Sequence, residues 1–482
     1  MFRNSVLVLF IVYLAAVSAV INTPLYKRRF AKERQLLPQP PLMSNETFWF
    51  TQLVDHFDPN NDETFQQQYQ VIDDYFDGTG PIFFFLAGEA PMGFFNFQEV
   101  QIWNWADKFN ALYVVLEHRF YGASNPTNDF STPNLRYLTS QQALADAANF
   151  LTSFKAERGL ESAPVVVFGC SYSGALSAWF RLKYPQLVVA SVAPSGPVLA
   201  QLNYTGYYSQ FSNSAAPDCV AAAQTATNQI MALTTSKSGR DQLAKTFNSC
   251  SNLENPRDLY YFLYTLTEAL GSADQMNNPP TWGLNTTCQT LTQTSSLLDN
   301  WAQIVAGGQT GCQDYSLKSF IDSMRKTNSK DQDGSRSWLW QTCVEFGYFS
   351  TTYPGTSVFP PTLNVEEQVK WCEEIFDIKG MTPNIAWTNS YYGGQQIQGS
   401  NIMFTNGLLD PWHLLSVNEP NLEGTVQAAT YEAGHCGTLI QSTSIDPPSL
   451  IAARAQKLSQ FNEMHTLIRF PCDNVEKRGS WT

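Results

Sequence analysis

Histidine is scarce in this chain, which has only five among its 482 residues. The shortage is useful, because the role of each histidine can be judged by elimination. The nine cysteines include no Cys-x-x-Cys pair, the spacing typical of zinc sites. We therefore expect neither a metal nor a cofactor. No internal repeat or low-complexity tract interrupts the chain.

Positive charge is also in short supply. The sequence has 29 Lys and Arg against 42 Asp and Glu, which gives a net charge of −13 and a pI near 4.9. A chain this acidic is a poor partner for the phosphate backbone, so we expect no nucleic-acid partner. The same balance suits an acidic compartment, where protonation of carboxylates relieves their repulsion.

Long apolar runs are missing beyond the N-terminus, so we expect no stable membrane insertion. The chain starts with a charged segment, an apolar run at 6–17 and small residues up to Ala19. This pattern is typical of a secretory signal peptide at 1–19, and the run is short for a membrane anchor. We interpret 20–45 as a leader or propeptide-like segment. The mature protein is expected to be secreted or lysosomal.

Sequons and cysteines agree with that location. Glycosylation is predicted at Asn45, Asn203 and Asn285. In an oxidising compartment most of the nine cysteines should pair, and their odd number leaves at least one free. Six of them lie within 219–372 and indicate one disulfide-stapled region.

One serine stands at a turn between a predicted strand and a predicted helix. The run PVVVF at 164–168 is typical of a buried parallel strand, and 175–182 has helical composition. Between them lies GCSYSG at 169–174. A serine on such a turn has the geometry of a nucleophile elbow, with N–H groups of the helix N-terminus available to an oxyanion. The usual pattern is Gly-x-Ser-x-Gly, and Ser173 departs from it.

Strands alternate with helical segments around this turn. Strands are predicted at 81–86, 111–116, 165–168 and 188–193, with a helix at 140–158. The alternation predicts a parallel sheet covered by helices. Residues 200–380 have few strand-like runs and are interpreted as a largely helical insertion. Strands resume at 402–405 and 425–431, and a closing helix is predicted at 451–461.

Two residues after the later strands complete a candidate triad with Ser171. Asp410 follows the strand at 402–405, and His435 follows the strand at 425–431. Carboxyl ends of parallel strands meet at one edge of a sheet, where open α/β sheets bind their ligands. The order serine, aspartate, histidine is also that of the α/β-hydrolases.

The other four histidines suit the base role less well. His56 precedes the sheet, and His118 ends a strand but precedes the serine. His413 lies three residues after Asp410 and would crowd against it. His465 lies in the closing segment and belongs to no motif.

The triad predicts a role for each member. Ser171 attacks a carbonyl carbon, His435 takes its proton and passes it to the leaving group, and Asp410 orients His435. The backbone N–H of Tyr172 is expected to be one oxyanion donor, because it follows the nucleophile. The second donor is expected in the loop after the strand at 81–86, at Glu89.

Several blocks together resemble one family of serine peptidases. They are QLVDHF at 52–57, EHRFYG at 117–122, RYLT at 136–139, GCSYSG at 169–174, WFRLKYP at 179–185 and NGLLDPW at 406–412. Over about residues 48–470 the chain is similar to the family of lysosomal Pro-X carboxypeptidase, dipeptidyl peptidase II and thymus-specific serine protease, and looks closest to the thymus-specific branch.

This resemblance implies an α/β-hydrolase fold with a helical, disulfide-containing cap inserted between nucleophile and acid. It also implies cleavage of peptides on the carboxyl side of proline near a chain end, and a homodimer as one expected state. The expected boundaries are 46–199 and 383–475 for the hydrolase domain and 200–382 for the cap.

The resemblance also bears on the cysteines. Within the cap we expect the pairs Cys343–Cys372, Cys219–Cys288 and Cys250–Cys312. Cys170 stands where the family commonly has glycine, and Cys436 flanks the base. We expect these two to be unpaired or paired elsewhere, since a bond between them could strain the elbow. A disulfide joining them is the alternative.

The leading hypothesis is a serine exopeptidase with post-proline preference, acting from either chain end as a carboxypeptidase or a dipeptidyl peptidase. An esterase or lipase on the same fold is an alternative that the cap and the family blocks disfavour. A catalytically silent binding protein is a second alternative, and the intact triad argues against it.

Overall fold

The computed structural model describes residues 47–92, 100–328, 333–423 and 425–457. Its centre is an eight-stranded sheet in the order β1-β2-β4-β3-β5-β6-β9-β10, and a separate pair joins β7 to β8. The strands are β1 (Thr47–Leu53), β2 (Thr64–Ile72), β3 (Ile82–Leu86), β4 (Leu112–Leu116), β5 (Val165–Phe168), β6 (Ala190–Pro194), β7 (Gln201–Tyr204), β8 (Gly347–Ser350), β9 (Ile402–Gly407) and β10 (Val426–Tyr431).

The sheet is parallel from β4 to β10, while β1 and β2 form an antiparallel hairpin beside it. Successive side chains of a strand point to opposite faces, and here both faces are covered. Phe84 and Val114 join the larger core, whereas Phe83 and Tyr113 join a second core on the other face. This explains why β3 and β4 are continuous apolar runs.

Helices cover the sheet and fill the insertion between β6 and β9. Around the sheet they are α1 (Gln101–Phe109), α2 (Thr132–Leu135), α3 (Ser140–Glu157) and α4 (Tyr172–Lys183). Between β6 and β9 they are α5 (Gly206–Ser214), α6 (Pro217–Thr234), α7 (Lys237–Thr246), α8 (Pro256–Gly271), α9 (Gly283–Leu291), α10 (Leu297–Ala306), α11 (Leu317–Met324), α12 (Ser335–Gln341), α13 (Val365–Phe376) and α14 (Ile385–Tyr392), with a π-helix at Thr342–Phe346. A last helix includes 448–457.

The arrangement is an α/β-hydrolase fold whose helical cap lies between β6 and β9. Three disulfides staple the cap, namely Cys219–Cys288, Cys250–Cys312 and Cys343–Cys372. These are the pairs that the family resemblance implied. The short parallel pair β7–β8 ties the two ends of the cap together, a feature that the sequence did not reveal.

Within the described ranges, no helix is both long and apolar enough to cross a bilayer. The predicted signal peptide, the leader, Asn45, His465 and Cys472 lie outside those ranges. Of the other two sequons, Asn285 is exposed on α9. Asn203 is half-buried on β7, where its side-chain oxygen accepts a hydrogen bond from the Thr351 hydroxyl.

Candidate active site

Ser171 occupies a sharp turn between β5 and α4. Its backbone has φ 61° and ψ −131°, a left-handed φ that non-glycine residues rarely adopt. The turn is held from below, since the Ser171 N–H donates to the carbonyl of Pro194 at 3.1 Å. A Cβ built on Gly169 would lie 1.9 Å from the Ser173 carbonyl oxygen, so this turn requires glycine there. The strained turn is the elbow geometry that the sequence predicts.

The departure at Ser173 has a structural explanation. The Ser173 hydroxyl accepts a hydrogen bond from the Cys170 N–H and donates one to the Cys170 carbonyl, both at 2.9 Å. These two hydrogen bonds join the residue before Ser171 to the residue two positions after it and so hold the turn closed. Glycine is needed one position later, because a Cβ on Gly174 would lie 2.7 Å from the Pro194 carbonyl oxygen.

Asp410 and His435 come together at the carboxyl ends of β9 and β10. The His435 Nδ1 lies 2.6 Å from Asp410 Oδ2, and both side chains are buried. The second carboxylate oxygen, Oδ1, accepts the backbone N–H of Trp412 at 3.0 Å. Because a carboxylate accepts, Nδ1 carries the proton and Nε2 is left with its lone pair. This is the tautomer that a general base needs.

The reacting atoms of the predicted triad are buried. Neither Ser171 Oγ nor His435 Nε2 has a hydrogen-bond partner within the described residues. The Asp410–His435 half of the triad is thus formed, while the serine hydroxyl is not yet bonded to the imidazole. Contacts between nucleophile and base are often looser without substrate than in the reacting complex.

A disulfide links the loops that carry Ser171 and His435. Cys170 and Cys436 are bonded, with their Cα atoms 6.0 Å apart, so the expectation that they would be unpaired or paired elsewhere was wrong. The Cα separation is ordinary for a disulfide. Cys436 follows β10 and lies beside the end of β6, where its N–H donates to the Ser195 hydroxyl at 2.9 Å. Its backbone has a left-handed φ of 54°. All eight cysteines of the described ranges are therefore paired.

The cap also holds the histidine loop, a role that the sequence analysis missed. The carbonyl of Gln275 accepts the His435 N–H at 2.9 Å, and the side-chain oxygen of Gln275 accepts the indole N–H of Trp412 at 3.1 Å. The Asn278 amide donates to the His435 carbonyl at 2.7 Å. One cap segment thus bonds to both the acid loop and the base loop.

The side chain of Tyr172 is anchored from two sides. His118 Nδ1 donates to the Arg119 carbonyl at 2.7 Å, so its Nε2 accepts from the Tyr172 hydroxyl at 3.1 Å. The amide of Gln341, in the cap, donates to the same hydroxyl oxygen at 2.8 Å. Burial lowers the pKa of His118 to about 4, so the imidazole is neutral. His118 therefore orients the residue after the nucleophile.

Glu89 lies on the loop after β3, next to the elbow. A Cβ built on the preceding Gly88 would lie 3.3 Å from the Ser173 Cβ, which shows how closely this loop approaches. The N–H of Ala87 is already bonded to the Leu116 carbonyl at 2.9 Å. The carboxyl group of Glu89 is buried, and burial raises its pKa to about 8. The oxyanion role of its N–H stays a prediction.

The remaining histidines have structural partners. His56 Nε2 lies 2.8 Å from Asp146, which also binds Arg119. His413 Nδ1 lies 2.6 Å from the Asp410 carbonyl and not from its carboxylate. Neither histidine is hydrogen-bonded to Ser171 Oγ, which has no partner within the described residues.

An aromatic cavity lies among cap residues and beside Trp412. Its lining includes Tyr264, Trp338, Tyr348, Trp371 and Trp412. The ring of Trp338 contacts Tyr172 at 5.4 Å between centroids, and Tyr348 contacts Trp412 at 5.3 Å.

Comparison with known proteins agrees with this geometry. Residues 52–457 match the family model described as serine carboxypeptidase S28. The chain is 31% identical to thymus-specific serine protease of Homo sapiens, over 87% of this chain and 86% of the relative. The same protease of Mus musculus is also 31% identical, over 86% of each chain. Lysosomal Pro-X carboxypeptidase of Homo sapiens is 29% identical, over 94% of this chain and 95% of the relative.

Proposed function

The chain belongs to the serine carboxypeptidase S28 family, and on that premise we propose that Ser171, His435 and Asp410 hydrolyse peptides through an acyl-enzyme. The observation that carries the proposal is the Asp410–His435 hydrogen bond of 2.6 Å beside the strained serine elbow. An aspartate that only capped a surface loop would be exposed and would not be bonded to a buried imidazole.

The steps follow from the proton positions. Ser171 Oγ attacks the scissile carbonyl carbon while its proton passes to His435 Nε2. Asp410 stabilises the resulting imidazolium through Nδ1–H. The backbone N–H groups of Tyr172 and Glu89 are proposed to bind the oxyanion, and losing one such donor typically costs about 3 kcal/mol. His435 then protonates the leaving amine, and water repeats the sequence to release the acid and regenerate Ser171.

The family relationship supports cleavage after proline. Proline presents a rigid ring of C–H groups and has no N–H within a chain, so an apolar site can bind it without leaving a donor unpaired. A relative is named Pro-X carboxypeptidase. We propose a peptide substrate with proline on the amino side of the cleaved bond, close to a chain end.

The disulfides support a location in the secretory pathway or the lysosome. Four disulfides persist only in an oxidising or protected compartment. The predicted signal peptide and the exposed sequon Asn285 point the same way, and one relative is named as lysosomal.

Fluorophosphonate labelling tests the proposed nucleophile. We expect Ser171-dependent labelling of the purified protein, abolished in Ser171→Ala and strongly slowed in His435→Gln. Ser238→Ala, an exposed serine of the cap, is the matched control. Absence of Ser171-dependent labelling anywhere between about pH 4 and 8 would contradict the proposal that the protein is a serine peptidase. A panel of Xaa-Pro amides, blocked Pro-Xaa peptides and short-chain esters then assigns the substrate class.

A further inference from the structure

Three potential metal ligands meet at the catalytic loops. The sulfur atoms of Cys170 and Cys436 and a ring nitrogen of His435 all lie within 4.8 Å of one another. The sulfurs are joined as a disulfide, and a disulfide is a poor ligand because metals bind the thiolate. Chemistry that opens this bond would leave two thiols beside an imidazole.

The imidazole is already prepared for a metal. His435 Nδ1 is bonded to Asp410, and Nε2 is buried with no partner within the described residues. A metal-bound histidine characteristically gives its other ring N–H to a carboxylate, which fixes the tautomer and strengthens the ligand. Asp410 supplies such a carboxylate to His435 Nδ1.

The distances suit a tetrahedral ion. Zinc holds thiolate sulfur at about 2.3 Å and imidazole nitrogen at about 2.0–2.1 Å, which places the three donor atoms about 3.5–3.8 Å apart. Once the bond is cleaved, the sulfurs separate to about this distance by van der Waals repulsion alone. The fourth position would remain for water or for Ser171.

We infer that reduction of the Cys170–Cys436 disulfide creates a Zn²⁺ site from Cys170, Cys436 and His435, and that the bound ion inhibits the peptidase. The inhibition rests on the proposed role of His435 as the base, whereas metal binding does not. The sequence offered no Cys-x-x-Cys pair for zinc, because the fold and not the spacing brings these ligands together.

The reduction step uses a dithiol. One thiolate attacks Cys170 Sγ, the sulfur on the half-buried residue, and Cys436 leaves as a thiolate. The second thiol of the reductant then displaces Cys170 and closes the oxidised cyclic disulfide. Both protein sulfurs are now thiols, and Zn²⁺ binding releases their two protons. Nε2 donates its lone pair to the ion and can no longer accept the Ser171 proton.

Cobalt binding tests the site without activity. Ser171→Ala protein is treated with dithiothreitol, freed of it by gel filtration under nitrogen, and titrated with Co²⁺. We expect a thiolate-to-cobalt charge-transfer band that saturates at one ion per chain and is displaced by Zn²⁺. The exposed Cys250–Cys312 pair is replaced by serines in all samples, so that its thiols cannot bind the ion. The matched control adds Cys170→Ala and Cys436→Ala.

Labelling tests the inhibition on the enzyme itself. In the reduced protein with Ser171 intact, Zn²⁺ at about 10 µM is expected to slow fluorophosphonate labelling at least tenfold, with recovery on EDTA. The oxidised protein and the control without Cys170 and Cys436 should not respond. A cobalt band of equal strength in that control, or no band in the reduced protein, would overturn the proposal. If labelling by the oxidised protein fails altogether, the proposed peptidase is wrong while the cobalt result still decides the metal site.

Discussion

The carbonyl of Gln275 accepts the backbone N–H of His435 at 2.9 Å, so a residue of the cap holds the loop of the proposed base. The Gln275 side-chain oxygen also accepts from the Trp412 indole at 3.1 Å and from the Tyr207 hydroxyl at 2.8 Å. Cap and catalytic loops are therefore one hydrogen-bonded unit, and the cap does more than cover the site.

Gln275→Met should lower kcat about tenfold with a smaller change in KM. Methionine keeps the length of the side chain but leaves the buried donors of Trp412 and Tyr207 without an acceptor, which typically costs about 1–3 kcal/mol. Steady-state kinetics on an Xaa-Pro amide measures the effect. Gln293→Met, at an exposed cap position, is the control. Equal kcat values for the two variants would show that the cap does not position the loops.

The Cys170–Cys436 disulfide should support activity more than any cap disulfide. Replacing both residues by alanine frees the loops of Ser171 and His435 from each other, and misplacement of reacting groups by about 1 Å can cost about 100-fold in rate. We expect kcat to fall at least tenfold. The comparison is the double alanine variant of Cys250 and Cys312, measured with the same substrate and by thermal unfolding. A similar kcat in both double variants would contradict this expectation.

Much of the sheet could be predicted because its strands are buried on both faces. The apolar runs of β3, β4 and β5 carry the signal without needing a periodicity, and the elbow follows directly from β5. The α/β-hydrolase fold and the family resemblance are confirmed. The hairpin β1–β2 was missed, because both strands are half-exposed and β2 is rich in glutamine.

The contacts within the site were harder to predict, since they depend on distant parts of the chain. The Cys170–Cys436 bond spans 266 residues, and no sequence pattern near either cysteine indicates its partner. Gln275 belongs to a cap loop without any motif, so only the folded chain shows that it meets His435 and Trp412. The three residues of the predicted triad could be proposed from the sequence because each follows a strand of the same parallel sheet.

Ser173→Gly should keep most of the activity, whereas Ser173→Val should lose it. Glycine restores the usual elbow pattern, and the Cys170 N–H can find water in place of the hydroxyl. Valine has no hydroxyl and adds methyl groups where Gly88 already approaches closely. We expect kcat/KM within about threefold of wild type for glycine and a loss of at least 100-fold for valine. Comparable losses in both would mean that the hydroxyl itself is required.

Buried carboxyl groups predict that the fold weakens above neutral pH. Burial raises the pKa of Glu268 to about 8 and that of Glu345 to about 7. The folded protein holds these protons at pH values where the unfolded chain, with an ordinary pKa near 4.5, has released them. The stabilisation is therefore complete below about pH 4.5 and is lost as the pH rises through the folded pKa values.

The interval from pH 6.5 to 8 is compared in wild type and Glu268→Gln, because the other buried groups with shifted pKa values, among them Glu89 and Lys457, are the same in both proteins. Below this interval His118 acts in the opposite sense, because its pKa falls from 6.5 to about 4 on folding and acid then favours the unfolded chain. Above pH 6.5 the free energy of unfolding should fall by up to about 1.4 kcal/mol per pH unit for each carboxyl group. Urea unfolding at several pH values measures the slope. Glu268→Gln cannot ionise and should make the slope less negative by the contribution of one carboxyl group, while Glu161→Gln, at an exposed position, should leave the slope unchanged. A slope that is the same in wild type and Glu268→Gln would show that Glu268 ionises no differently in the folded and unfolded chains.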